Sequence, residues 1–231
     1  MVIGGGMVAK AFAAFENEQQ VLVFASGVSR SNEVRAEVYQ REIDLFEKQD
    51  TDLRLVYFST CALFDPTLSN GPYVKHKLRM EERIRRSFQN HLIVRLPNLV
   101  GHTKNPFTLT NFIRDHIVQQ ETFELHLYAA RYIMDVEFVA QDLAPLIRSN
   151  ERQGTSINVC SDEPIPLPQL VLLMEKILDK KADVIRTDKG HRYSVDNADF
   201  MAHLDVRHRH RYALDDLENT LRKYYGCAVR S

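Results

Sequence analysis

Short apolar segments alternate with longer amphipathic ones over the first hundred residues, and this rhythm restricts the fold of the chain more than any other feature. Segments 2–4, 21–26, 54–59 and 92–97 are brief and largely apolar, the pattern of strands buried on both faces. Between them, 7–16, 33–48 and 73–88 carry helical periodicity. Such alternation predicts a parallel sheet with helices on both faces. It breaks at His102-Thr103-Lys104-Asn105-Pro106. Beyond that point the sequence predicts helices near 109–119, 136–148, 167–178 and 214–225, a last parallel strand at 156–160 and a further strand at 183–186. There is no internal repeat, low-complexity tract or separating linker, so one two-lobed unit is expected over 1–231.

The first strand runs into Gly4-Gly5-Gly6-Met7-Val8-Ala9, and a helix-forming stretch follows. Gly4-x-Gly6-x-x-Ala9 fits a dinucleotide-binding fingerprint. The first Gly would make the tight turn, the second would let the backbone approach a pyrophosphate, and Ala9 would permit close packing of helix on strand. The phosphates would lie at the positive end of the helix, where Met7 and Val8 begin it. A Gly-rich turn without a ligand has the same composition; the position between strand and helix favours the functional reading.

Thr60 ends the apolar run Leu55-Val56-Tyr57-Phe58, so its hydroxyl would emerge at the carboxyl edge of a buried strand, where open α/β sheets bind ligands. Thirteen residues on stands Tyr73-Val74-Lys75-His76-Lys77. Spacing i, i+4 puts Tyr73 and Lys77 on one helix face, with Lys75 pointing elsewhere. A phenol with an ordinary pKa of about 10 is a poor base near neutrality unless a cation stabilises its anion. Lowering it by about three units takes about 4 kcal/mol, which a Lys and an adjacent nicotinamide cation could supply together. Tyr-x-x-x-Lys alone is a frequent accident on amphipathic helices; the hydroxyl upstream and the glycine-rich turn give it context. The three residues suit an oxidoreductase that moves a proton and a hydride together.

With these motifs in this order, nearly the whole chain resembles the extended short-chain dehydrogenase/reductases of the NAD-dependent epimerase/dehydratase type, shortened in the N-terminal half. The resemblance implies an abbreviated Rossmann-like α/β fold, a doubly wound parallel sheet with a small C-terminal substrate lobe. The nucleotide-binding core would take 1–101 and about 136–160, and the substrate lobe about 102–135 and 161–231. It implies NAD or NADP as cofactor and a nucleoside-diphosphate sugar as substrate. Thr60, Tyr73 and Lys77 would be catalytic. Gly4, Gly6, Met7, Val8, Phe24, Ala25, Ser26 and Pro97 would contact the cofactor, and Asn98, Asn111 and Arg131 the substrate, Arg131 through the diphosphate. Ordinary roles exist for the last three: Asn98 and Asn111 as turn or cap residues, Arg131 as an ion-pair partner. Arg192 is a weaker candidate for the substrate phosphates. A homodimer through the helices after Arg35 and Tyr73 is a further implication. Family dehydratases carry an acidic residue after the catalytic Ser/Thr; Cys61 stands there, which argues against dehydration.

Two departures stand out. Only 11 residues separate Ala9 from Val21, room for one helix, where the family places two more strands and a helix beside the adenosine of the cofactor. No acidic residue ends a strand about 20 residues past the fingerprint to hold a ribose hydroxyl. The adenosine end is therefore expected to be loosely held or covered by another subunit. Reading 21–25 as the second strand, with Arg30 for a 2′-phosphate, is disfavoured because the catalytic strand comes next. The loop from Asp65 to Pro72 is also short, which predicts an open site.

Composition narrows the alternatives. A net charge of −1 gives no electrostatic case for nucleic acid or a membrane surface, and no apolar stretch approaches the ~20 residues that span a bilayer. Cys61, Cys160 and Cys227 are few, odd in number and far apart, which argues against a disulfide framework or zinc site and suits the cytoplasm. Arg207-His208-Arg209-His210-Arg211 reads as a solvated turn, since two His at i, i+2 make a poor metal shell. The charged run 76–86 reads as the exposed face of the Tyr73 helix, and 170–174 as core packing. Two rival functions remain: a binding or regulatory protein that kept the fold and lost turnover, and a reductase of small carbonyl compounds, which leaves the C-terminal lobe unexplained.

Overall fold

The computed structural model describes residues 1–50, 52–149 and 152–226. The first half comprises β1 (Val2–Ile3), α1 (Met7–Ala11), β2 (Val21–Phe24), α2 (Ala36–Phe46), β3 (Arg54–Thr60), α3 (Pro72–Ser87), β4 (His91–Leu96) and β5 (Asn98–Val100). Then come α4 (Leu109–Gln119), β6 (Phe123–His126), β7 (Ala130–Arg131), β8 (Ile133–Asp135), α5 (Val136–Ser149), β9 (Thr155–Asn158), β10 (Ile165–Pro166), α6 (Leu167–Leu178), β11 (Val184–Thr187), α7 (Ala198–His203) and α8 (Leu217–Tyr225).

The apolar strands form one parallel sheet in the order β1-β2-β3-β4-β9. Because successive strand residues point to opposite faces, each strand feeds two cores. Val23, Val56, Phe58 and Val94 pack with Phe12 and Phe15 and with Val139, Leu143 and Ile147 of α5. Leu22, Phe24, Leu55, Tyr57 and Ile93 pack on the other side with Phe46 of α2, Met80 and Ile84 of α3, and Phe88 just beyond α3. This is the doubly wound α/β arrangement expected from the rhythm of the sequence. A separate core joins Ile113 and Ile117 of α4, Leu170, Val171 and Met174 of α6, and Leu221 and Tyr225 of α8. It makes a second lobe with the small strand pairs β5–β8, β6–β11 and β7–β10, of which the sequence predicts only β11, at 183–186.

Several boundaries differ from expectation. The first helix ends at Ala11 and a 3-10 turn, Ala13–Phe15, follows, because Phe12 and Phe15 turn into the core. Phe12 meets Phe58 with ring centroids 4.8 Å apart. The second helix starts at Ala36, because the residues before it are organised by Glu33. Its side chain accepts from the Val34 and Arg35 backbone N–H groups, and its carbonyl from the Tyr39 hydroxyl. The segment Val206–Tyr212 is a 3-10 helix tied to α5, with His208 Nδ1 at 2.6 Å and the Tyr212 hydroxyl at 2.5 Å from the Asp142 carboxylate. Leu170, Val171 and Met174 are core residues as read, while Leu172 is exposed. Among the described residues no helix is long and apolar enough to cross a membrane.

Gly4 shows why the first turn needs glycine. Its φ is +137°, and a β-carbon there would stand 2.5 Å from the Ala25 carbonyl oxygen. Gly4→Ala is therefore expected to lower the unfolding free energy by about 2 kcal/mol or more, read as a lower urea midpoint. An unchanged midpoint would show that β1 does not approach β2 as described.

Candidate active site

A cavity of about 1050 Å³ lies along the carboxyl ends of the first four strands. There the sheet hands over to loops: Gly5 and Gly6 after β1, Ala25 and Ser26 after β2, Thr60 at the end of β3, and Pro97 and Asn98 after β4. Met7, Val8, Tyr73, Lys77 and Arg131 complete that part of the wall. The sheet thus brings to one cleft most of the residues singled out in the sequence. Nothing lies within 4 Å of where a β-carbon would stand on Gly5 or Gly6. The glycine turn therefore presents bare backbone to open space, the form suited to a phosphate.

The residue that organises this region is Glu42, on α2, which the sequence reading did not select. It is fully buried, and both its carboxylate oxygens are saturated. Oε2 accepts from the Val28 N–H at 2.6 Å and lies 3.0 Å from His76 Nε2, which must donate because a carboxylate can only accept. Oε1 accepts from the Tyr57 hydroxyl at 2.6 Å and from Lys77 Nζ at 3.1 Å. Burial would push the Glu42 carboxyl up, yet the Lys77 charge and the donors His76, Tyr57 and Val28 together hold it well below the usual carboxylate range. Burial, with Glu42 beside it, pushes the Tyr57 phenol well above its ordinary range, so that phenol stays a neutral donor.

Lys77 also donates to the Tyr57 hydroxyl oxygen at 3.0 Å and to the Phe58 carbonyl at 3.2 Å. An ammonium has three N–H groups, and here all three have protein partners. In this arrangement no Lys77 N–H is left over for a ligand. Gly27 leaves the room for this pairing: a β-carbon there would meet Lys77 Nζ at 2.5 Å and Glu42 Oε1 at 2.9 Å.

The other two members of the set are uncommitted donors. Thr60 Oγ1 accepts from the Ala62 N–H at 3.0 Å and so caps the 3-10 turn Cys61–Phe64. Its own hydroxyl hydrogen goes to no protein group among the described residues. Tyr73 packs its ring with Val28 and Val74, against Tyr39, Ala62 and Leu68, and its hydroxyl likewise has no protein partner among those residues. Two hydroxyl hydrogens with no protein acceptor among the described residues thus belong to side chains that line one cavity.

A second buried carboxylate, Glu81, anchors the same helix one turn on. It accepts from the Ser59 hydroxyl at 2.6 Å and from both Nε and Nη2 of Arg95, at 3.0 and 2.7 Å. Burial opposes its ionisation, and Arg95 and Ser59 prevail and lower its pKa. The run 76–86 is thus not simply an exposed face: His76, Lys77 and Glu81 point inward, and pairs such as Arg86 with Glu82 occupy the outside.

Three assigned residues sit differently from expectation. Asn111 is buried behind the cleft wall and does not line the cavity. It donates to the Thr103 and Asn105 carbonyls at 3.1 and 2.8 Å and accepts from the Tyr225 hydroxyl, so it braces a loop and has no polar atom free for substrate. Phe24 is a core residue, packed on Phe46 and Tyr57. Gly4 shapes the turn from behind. Arg131 reaches the cavity, and its Nη1 stands 3.0 Å from a carboxylate oxygen of buried Asp65, the ion-pair role named as its ordinary alternative. Asn98 donates to the Tyr132 carbonyl from its side chain at 3.2 Å. Cys61 and Cys160 are buried free thiols, both pushed up by burial, Cys160 to about 12, and so poor nucleophiles. Cys227 lies outside the described residues.

Removing the Glu42 charge leaves a buried ammonium unpaired, so Glu42→Gln is expected to lose about 3–5 kcal/mol of stability at neutral pH. The sign with pH follows from the lowered carboxyl. The contribution of Glu42 is fully present above the unfolded glutamate pKa of about 4.3 and is lost as pH falls toward the lower folded value. Urea unfolding of both proteins between pH 7 and 3 should show their difference narrowing below about pH 4.3. A constant difference would contradict the ion pair.

No protein-family model matches the sequence, and no curated protein matches it. Solved structures do. The dTDP-glucose 4,6-dehydratase of Bacillus anthracis, crystallised with NAD, aligns with a TM-score of 0.67 at 15% identity, over 91% of this chain and 75% of its own. The ADP-L-glycero-D-manno-heptose-6-epimerase of Helicobacter pylori aligns with a TM-score of 0.67 at 15% identity, over 93% and 74%. The UDP-glucose 4-epimerase of Thermus thermophilus, in complex with NAD, aligns with a TM-score of 0.62 at 13% identity, over 93% and 82%. The chain therefore has the Rossmann-like fold of the NAD-dependent epimerases and dehydratases, the fold that its motifs resemble.

Proposed function

We propose that the protein is an NAD(P)-dependent oxidoreductase or epimerase acting on a nucleoside-diphosphate sugar. The observation that carries this reading is the meeting of Thr60, Tyr73 and Lys77 with the bare Gly5-Gly6 turn on one cavity. Backbone at Gly5 and Gly6 would take phosphate, with Ala25, Ser26 and Pro97 along the rest of the cofactor. A nicotinamide bound there would accept or give the hydride. Thr60, whose oxygen is already used as an acceptor, would donate its hydrogen to the substrate oxygen and fix its place. Tyr73 would take the hydroxyl proton as a carbonyl forms and return it in the reverse direction. Lys77 would stabilise the phenolate by its charge and reach a ribose hydroxyl by exchanging one of its three protein partners. Asn98 and Arg131 would face the sugar nucleotide, Arg131 giving up Asp65 for the diphosphate.

The neighbours in fold support the substrate class: one protein related in fold, MoeE5, is described in complexes with UDP-glucose and with UDP-glucuronic acid. The saturated state of Lys77 favours a second reading, a sugar-nucleotide-binding regulatory protein on the same fold. One substitution separates the two. With UDP- and dTDP-sugars and NAD or NADP, Tyr73→Phe should lower the turnover number by about 10²–10⁴-fold, followed by nicotinamide absorbance or by product analysis, and leave sugar-nucleotide affinity nearly unchanged. Activity that survives Tyr73→Phe would remove the catalytic reading.

A further inference from the structure

We infer that the cleft holds a nicotinamide dinucleotide by its nicotinamide-mononucleotide half alone and leaves the adenosine outside the protein. This rests on the cofactor reading above and adds to it a statement about which half is recognised.

The sheet carries the argument. Dinucleotide-binding sheets of strand order 3-2-1-4-5-6 place the first strand in the interior, and a residue at the end of a strand beyond it holds the adenosine ribose. Here β1 pairs only with β2, through Val2 with Val23 and Ile3 with Phe24, and is the outermost strand of the sheet. The connection from α1 to β2 makes no crossover to that side. It turns back, burying Phe12 and Phe15 against the core that contains Phe58, and none of residues 9–24 lines the cavity.

The shape of the cavity agrees. Of the first 24 residues only Gly5 to Val8 reach it, and from there it extends over β2, β3 and β4 toward Phe107 and Phe112 in the second lobe. The Gly5-Gly6 turn is therefore the end of the cleft on the β1 side. A phosphate seated on it has its nicotinamide riboside directed inward along Ser26, Tyr73 and Pro97, and whatever is esterified beyond that phosphate points past the sheet edge. No carboxylate stands at the end of β2 to choose between a ribose hydroxyl and a 2′-phosphate: the residues are Ala25, Ser26 and Gly27. Arg41, at the same rim, is exposed and is engaged with the protein, donating to the Ser26 carbonyl at 3.1 Å. A ligand part that touches nothing adds no affinity.

The test is a fluorescence titration of the full chain with NADH, NADPH and reduced nicotinamide mononucleotide. The inference expects three dissociation constants within about threefold of one another. It also expects Gly6→Asp, which puts a carboxylate where the shared phosphate sits, to weaken all three by about tenfold or more. Should Gly6→Asp fail to fold, competition replaces it: 5′-AMP in about tenfold excess should leave bound NADH in place, while oxidised nicotinamide mononucleotide displaces it. Mononucleotide binding more than about threefold weaker than that of NADH, or displacement by 5′-AMP, overturns the inference and leaves the cofactor reading standing. No binding of any of the three removes both.

Discussion

The fully buried Glu42 carboxylate is the interaction on which the geometry of the cleft depends. Four donors from three directions converge on it: a backbone N–H of the loop after β2, the Tyr57 hydroxyl of β3, and His76 and Lys77 of α3. A carboxylate without solvent is tolerated only when charge and hydrogen bonds are both satisfied, and this one is satisfied only if α2, α3, β3 and the loop at Val28 hold fixed relative positions. Tyr73 is one turn before Lys77 on the same helix, so the ion pair also sets where the catalytic candidate phenol enters the cavity.

Glu81 repeats the device one turn farther along α3. It binds Ser59, the neighbour of Thr60, and Arg95 at the end of β4. The inward face of α3 thus meets the sheet through two buried carboxylates around an apolar contact of Met80 and Ile84. Apolar packing alone would let the helix slide or rotate at small cost. Two polar knots with directional bonds allow one register. Under the proposed function rigid placement matters, since proton transfer needs a donor and acceptor within hydrogen-bond reach. Against this fixed wall stand the second lobe and its loop at 103–108, braced from behind by Asn111.

Much of this was legible in the sequence. Most strand positions and the parallel sheet followed from short continuous apolar runs alternating with helical segments, and of the residues that line the cleft Thr60, Tyr73, Lys77 and Gly6 were singled out by short motifs on those elements and Pro97 by the resemblance. Glu42 was missed because 39–44 reads as an ordinary charged helix face. A signal was present: Glu42 lies four residues after Val38 and four before Phe46, on the stripe that packs inward. His76 and Glu81 were hidden in the same way, in a charge-rich run whose inward members are distinguished only by their spacing from Tyr73, Lys77, Met80 and Ile84. The structural role of Asn111 depends on Tyr225, far away in the sequence, which no local pattern reveals. Boundaries failed where a tertiary contact overrode propensity, as at Phe12 and at the loop held by Glu33.

The central claim is that the Lys77 ammonium is locked by Glu42, Tyr57 and the Phe58 carbonyl beneath the cleft. Its most direct test is a ¹H–¹⁵N spectrum of the lysine ammonium groups at neutral pH, assigned with Lys77→Met. A buried ammonium with all three hydrogens bonded exchanges slowly with water, so one lysine signal should persist and vanish in the variant, whereas exposed lysines exchange too fast to be seen. A spectrum with no slowly exchanging ammonium assignable to Lys77 would contradict the account.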